Sequence, residues 1–227
     1  PVKSSRGNEY VLVTAYKGYT HVIPMRSRSS TSYVAAYKSV FAFFLARGHP
    51  ITNLATDNES STDLTLFLHT LVPRPYVQFV PSHNHRANVA ERHIRTFKNH
   101  FIAILSSVHI HFPLSEWDRL LPHAELTLNH LSTWKPDPSL SAYAGLFGSP
   151  IDFFRHPIHP PGQLVVAHDS PDNRPSWAKH GARGYYLGPS LSHHRCSHIF
   201  ICHTQTPRTC DTFDTFPCPL FHFADIP

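Results

Sequence analysis

At 227 residues and 41% apolar content, the chain can bury a core in one large or two small domains. No apolar run exceeds Phe41 to Ala46 and the start, PVKSSRGNEY, has no hydrophobic leader, which predicts a soluble globular protein with no membrane partner. The net charge of +5, the pI near 9.1 and the 20 histidines give a mild lean towards polyanions. Charged residues make up 15% against a usual ~25%, and the 21 prolines are roughly twice the common share, so the composition is atypical. All four cysteines lie from Cys196 onward, without a framework spread over the chain, and predict an intracellular setting. A first residue that is proline rather than methionine predicts a piece of something longer.

Glu9 to Ala15 and Tyr19 to Met25 read as strands of a hairpin turning at Lys17 and Gly18, with Pro24 ending the second. From an N-cap at Ser30, the spacing of Val34, Tyr37, Phe41, Phe44 and Leu45 predicts an amphipathic helix that stops at Gly48. Ile51 to Thr56 predicts a strand that delivers Asp57 at its end. A short helix, Leu64 to His69, leads through the Pro73 and Pro75 turn into the strand Tyr76 to Val80. After Asn84 a long helix follows, with Ala90, Ile94, Phe97, Phe101 and Ile104 as its buried stripe and Glu91, Arg95 and Lys98 beside it. A further helical pattern runs from Pro113 through Trp117, Leu120 and Leu121, and Pro122 should break or kink it before Ala124 to Leu131. Residues 132–162 are proline-rich with little periodicity and read as an extended connector. Beyond it, Gln163 to His168, Gly184 to Leu187, Cys196 to His203 and Thr209 to Phe213 predict short strands of a small β-barrel over 163–215, followed by a tail, 216–227.

Two stretches carry the chemistry. LATDNES (Leu54 to Ser60) sets Asp57 at a strand end, and PSHNHRANVAERHIRTFKNH (Pro81 to His100) sets Glu91 on a helix after a strand, with 33 residues between the two acids. Paired carboxylates so placed are what divalent-metal phosphoryl transfer needs. Together with the element order, these stretches resemble the integrase catalytic core of Ty1/copia-type retrotransposons, over roughly Pro1 to Leu131, and GARGYYLGP is similar to the region that follows that core. The resemblance implies an α/β, ribonuclease-H-like mixed sheet with flanking helices. It matches Asp57 to the family's second aspartate and Glu91 to its glutamate, with Asn58 and Asn88 in flanking positions.

What the resemblance implies for function is DNA integration. Asp57 and Glu91 would be catalytic residues and ligands of Mg²⁺ or Mn²⁺, in a site that trims element ends and joins them to target DNA with two ions about 4 Å apart. The family's first aspartate lies on a central strand that would precede Pro1, and no carboxylate from Pro1 to Ala15 replaces it, since Glu9 sits at the outer start of its strand. The chain as given is therefore expected to bind metal weakly, to support little strand transfer, and to be unstable or aggregation-prone around a gap in its sheet. The spacing between the two acids is also slightly shorter than the family's. Expected partners are element and target DNA, contacted by Arg92, Arg95, Lys98 and Asn99, with His83, Asn84, His85 and Asn88 at the helix entrance. Homo-oligomers, and a nucleus or virus-like particle as location, follow from the same likeness.

Other readings compete. A non-enzymatic nucleic-acid-binding or interaction module from a decayed element would keep the basic face without catalysis. Glu59 and Asp63 suit turn and helix-start roles. His83 to His85 spell HNH without the ββα-metal context of that nuclease motif. His194, Cys196 and His198, with Cys202 and His203 nearby, offer zinc ligands without a known module's spacing, so strand packing is the preferred reading. Trp117, Trp134 and Trp177 read as core or connector packing.

Overall fold

The computed structural model describes residues 2–57, 61–80, 89–168, 177 and 179–216, the side chains of residues 57, 79, 80 and 89 excepted. It is a mixed α/β protein in two units, Pro1–Ile102 with Leu114–Ile151, and Ala103–Pro113 with Asp152–Pro227. No helix among the described residues is long and apolar enough to cross a membrane.

In the first unit, β1 (Tyr10–Tyr16) and β2 (Tyr19–Met25) form an antiparallel hairpin whose two-residue turn holds Lys17 and Gly18 at φ 49° and 99°. That left-handed pair matches the right-handed twist of the strands. A Cβ on Gly18 would lie 2.3 Å from the Thr133 carbonyl oxygen, so glycine is what lets this turn dock. α1 (Ser30–Leu45) starts one residue after the cap, Ser29, whose side chain accepts from the Ser32 amide. β3 (Asn53–Asp57), α2 (Thr62–Thr70) and β4 (Tyr76–Val80) make a parallel crossover unit.

The hairpin and the parallel pair are separate two-stranded sheets. The continuous mixed sheet expected from the sequence is not observed among the described residues, and helices link the two pieces instead. Tyr37 of α1 and Leu64 and Leu68 of α2 form one buried cluster, onto which Leu12 of β1 and Leu54 and Val77 of the parallel pair all pack. A second cluster joins Tyr19, Val40, Phe44, Trp134, Ala142 and Leu146.

That second cluster corrects the reading of 132–162 as an extended connector. Its first half packs as core, with α5 (Ala142–Phe147) capped by Ser141 and closed by Gly148 at φ 78°. Trp134 lies against α5 so closely that a Cβ on Gly145 would meet the indole at 2.2 Å. Pro122 is also placed differently. A 3₁₀ turn, Leu114–Leu120, runs into α4 (Leu121–Leu131), and the proline sits in the first turn of α4, where no amide donor is required.

α3 (Val89–Ser107) departs from the expected stripe too. Phe97 and Ile104 are buried, but Ile94 is 45% exposed. Half-buried His93 and His100 share the inner face, where their ring nitrogens lie 2.9 Å from the Thr20 and Thr127 hydroxyls respectively.

The second unit holds β5 (Leu164–His168), β6 (Gly181–Pro189), β7 (Ser197–Ile201), β8 (Thr206–Cys210) and β9 (Phe213–Thr215) in the antiparallel order β8-β7-β6-β5-β9. The sheet is open, not the small barrel expected, because the three-residue β9 pairs only with β5 and never reaches β8. Its core is Val165, Ala167, Tyr186, Ile199 and Ile201.

The chain's start is latched by one buried acid. Asp118 Oδ2 accepts from Ser4 Oγ (2.9 Å), Arg6 Nε (3.0 Å) and Asn8 Nδ2 (2.6 Å), while Trp117 Nε1 donates to the Val2 carbonyl. Burial alone would raise the carboxyl's pKa, but the hydrogen bonds from Arg6, Asn8 and Ser4 outweigh it and hold the group below its ordinary value. Removing the carboxylate leaves two buried donors and one cation without an acceptor. Asp118→Ala should therefore lower the unfolding free energy by about 2–4 kcal/mol in urea titration, and Asp118→Asn by less, since one acceptor remains.

Candidate functional site

Parallel pairing in the register Asn53↔Tyr76 to Asp57↔Val80 brings the carboxyl ends of β3 and β4 side by side. Asp57 is the last residue of β3, opposite Val80. In open α/β sheets such strand ends are where ligands collect. Glu91 lies in the first turn of α3, exposed. His83, Asn84, His85 and Asn88, and likewise Asn58 and Glu59, lie outside the described residues. Asp63 sits in the first turn of α2, where Ser30 Oγ donates to it at 2.5 Å.

From Glu91 onward α3 is sharply two-sided. Arg92, Arg95, Lys98 and Asn99 are exposed on its polar side. On the inner side, burial lowers the pKa of His93, with the cationic Lys135 and Arg92 adding to the shift, and burial likewise lowers that of His100. Opposite His100, burial pushes His123 of α4 down to about 4, aided by repulsion from His100. The helix thus turns neutral imidazoles inward and leaves guanidinium, ammonium and amide groups outward. That outward set can hold a phosphate backbone, and it carries no base-reading pattern.

For a metal, the relevant donors are the two carboxylates. Mg²⁺ usually takes one or two protein carboxylates plus phosphate and water oxygens; of the two expected here, Glu91 is exposed in the first turn of α3 and the side chain of Asp57 lies outside those described. Among the described residues no group of three or more His, Cys, Asp or Glu side chains is arranged to hold one. The zinc reading fares no better there. His194 and Cys196 sit in the turn before β7, not on a strand face, Cys196 Sγ lies 3.5 Å from the His194 carbonyl, and His198 meets Thr209 Oγ1 at 3.1 Å.

No protein-family model matches the sequence, and no curated protein matches it. Among solved structures, the chain is similar to a chain in the cryo-EM structure of simian T-cell lymphotropic virus intasome in complex with PP2A regulatory subunit B56 gamma. The identity is 14% and the TM-score 0.46, over 96% of this chain and 76% of that one.

Sequence reading missed a set of polar side chains. Glu125 of α4 accepts from Tyr19 Oη at 2.8 Å and from the Val22 amide at 2.9 Å, and it meets His21 Nδ1 at 2.9 Å. Asn129 pairs with both the amide and the carbonyl of Thr20, at 2.7 Å each. Their only signal was a Glu and an Asn at helical spacing on a face otherwise apolar.

The buried histidines give the first unit a pH signature. His123 has a folded pKa near 4 against about 6.5 when unfolded, so below roughly pH 6.5 the unfolded chain binds the proton and the folded one does not. Its contribution is fully present above that pH and falls away towards pH 4, by up to about 3 kcal/mol, with His100 and His93 acting in the same direction. Denaturation midpoints measured from pH 7 to 4.5 should drop steadily for the wild type and more shallowly for His123→Gln.

Proposed function

We propose that this chain is a DNA-binding unit of the retrotransposon-integrase type, whose reaction in the complete protein is DNA integration. One order of elements along the chain supports this best. Asp57 ends β3 beside the end of β4, the chain then enters α3 with Glu91 in its first turn, and Arg92, Arg95, Lys98 and Asn99 stand exposed just beyond. The residues are those on which the resemblance to Ty1/copia-type integrase cores rests. Asp57 and Glu91 would hold Mg²⁺ or Mn²⁺, which when bound would supply Lewis-acid stabilisation of charge on a phosphodiester.

What the chain's own residues do is narrower. Arg92, Arg95 and Lys98 attract and position the DNA backbone, and the inward histidines of α3 stay neutral and anchor the helix that carries them. Two carboxylates suffice for one ion and not for a pair, so DNA binding without strand transfer is the activity assigned to the residues present.

Duplex affinity should fall steeply with salt. With three phosphate contacts, the loss is roughly 40-fold between about 50 and 200 mM, and Arg95→Ala with Lys98→Ala should flatten the log–log slope by roughly 1.8. Fluorescence anisotropy checks both, and an affinity indifferent to salt would overturn the DNA-binding assignment.

Strand transfer offers a separate check. Incubation with element-end DNA, target duplex and Mg²⁺ should yield no joined product. Robust joining that Asp57→Asn abolishes would instead establish a complete catalytic site in this chain.

A further inference from the structure

The first unit holds two unfinished sheets, and hydrogen bonds on their far sides fix which backbone groups are left over. The Thr20 amide and carbonyl both go to Asn129, and the Val22 amide goes to Glu125, so these residues of β2 point away from β1. Their partners across the hairpin, Ala15 and Val13, occupy the non-hydrogen-bonded pairs of the ladder and turn their own amides and carbonyls outward on the far side of β1. On β3 the Tyr76 amide donates to the Thr52 carbonyl at 2.7 Å. Residues 52, 54 and 56 therefore face β4, and Asn53 and Ala55 turn their backbone groups away from it.

These two free edges lie side by side. A solvent-open cleft of about 380 Å³ is lined by Tyr16 and Lys17 at the end of β1 and by Thr52 and Asn53 at the start of β3, and by no residue of β2 or β4. Because the end of one strand meets the start of the other, β1 and β3 run antiparallel. Leu12 and Leu54 rest on the same buried cluster of Tyr37, Leu64 and Leu68, so α1 and α2 give both strands one apolar floor. Ala15 and Ala55 alternate to the face away from that floor and are exposed. Yet β1 and β3 share no ladder, and each has a single strand neighbour among the described residues.

We propose that the first unit binds an extended segment of a partner polypeptide as an added strand between β1 and β3, antiparallel to β1 and parallel to β3. Such a segment serves both edges at once, since its successive amides and carbonyls point to alternate sides. Pairing of one edge with a second copy of this chain would leave the other edge open. The direction puts the N-terminal end of the segment at the cleft beside the exposed Lys17, which favours an acidic residue there. Beyond it, apolar side chains alternate towards α1 and α2 with small polar ones towards Ala15 and Ala55. The inference rests on strand geometry and not on the DNA-binding reading.

The probe is the peptide acetyl-Asp-Val-Thr-Val-Thr-Val-Thr-amide, added in excess to the isotope-labelled protein while amide exchange is followed by NMR. The amides of Val13, Ala15 and Ala55 should all exchange at least about tenfold more slowly when it binds. Two further versions, N-methylated at alternate residues, each block the ladder to one edge. Each forfeits roughly two bonds and should bind about 10- to 100-fold more weakly, with protection lost at the blocked edge. Arg95→Ala with Lys98→Ala should leave peptide binding unchanged even where duplex binding is lost, so the two assignments fail separately. Exchange unaltered in excess peptide, protection of one edge only, or equal binding of the parent and both methylated peptides would overturn the proposal. So would slow exchange of these amides in the protein alone that is lost on dilution, because the occupant would then be a second copy.

Discussion

The first unit depends on how the outer edge of β2 is closed. A hairpin leaves one side of each strand with unpaired amides and carbonyls, and here α4 supplies side chains where another strand would normally supply backbone. Asn129 reproduces a strand neighbour by both donating to and accepting from Thr20, and Glu125 takes the Val22 amide two residues on, where strand geometry points the next outward donor. The same carboxylate gathers Tyr19 Oη and His21 Nδ1, and His21 in turn stacks on Phe43 at 3.9 Å. Placing α4 thereby places α3, whose His93 reaches the Thr20 hydroxyl and whose His100 reaches Thr127 of α4. The outward direction of the cationic residues on α3 is thus a consequence of polar bonds made on its opposite face.

The other side of the hairpin is held by a different force. β1 has β2 as its only strand neighbour among the described residues, and β3 has only β4. What joins them is apolar contact through α1 and α2, with Leu12 and Leu54 meeting the same cluster. Such contacts are non-directional and fix distance more than register. Bonds to α4 set direction on one side of the hairpin, and burial alone sets proximity on the other. The end of β3 that carries Asp57 belongs to this second, less directional connection.

Much of the element order was legible from spacing. The hairpin turn at Lys17 and Gly18, the helix stopping near Gly48 and the strand ending in Asp57 all follow from local chemistry that the fold does not override. Where the reading failed, tertiary partners decided. Ile94 looks like a core residue by spacing, but His93 is drawn inward by a hydroxyl on β2, and the helix rotates Ile94 to solvent. Residues around Trp134 and Ala142 look like linker because of their prolines, yet they are buried in one cluster with Tyr19 of β2 and Val40 and Phe44 of α1. The barrel expectation failed on closure, which depends on the length and position of the last strand and leaves no periodic trace. Of the candidate site, the sequence shows residue types and their order but not the partners that orient α3, because Thr20 and Thr127 lie far from His93 and His100 along the chain.

The distribution of acids sharpens what the net charge says about partners. A formal +5 on 227 residues is a weak attractor taken as an average. In the first unit, however, several carboxylates are committed internally: Asp118 to Arg6, Asn8 and Ser4, Glu125 to Tyr19, His21 and Val22, and Glu116 to Arg119. Asp118 and Glu116 are nearly fully buried, so their field reaches solvent mainly through partners that cancel it. Arg92, Arg95 and Lys98 on α3, and Lys17 at the hairpin turn, are exposed instead. Two of these three acids are held by arginines, so their pairing removes charge of both signs and leaves the net +5 a weak attractor, while Asp63, Glu91, Asp137 and Asp152 stay exposed. The basic run of Arg92, Arg95 and Lys98 is therefore a local feature of one side of α3, with Glu91 beside it.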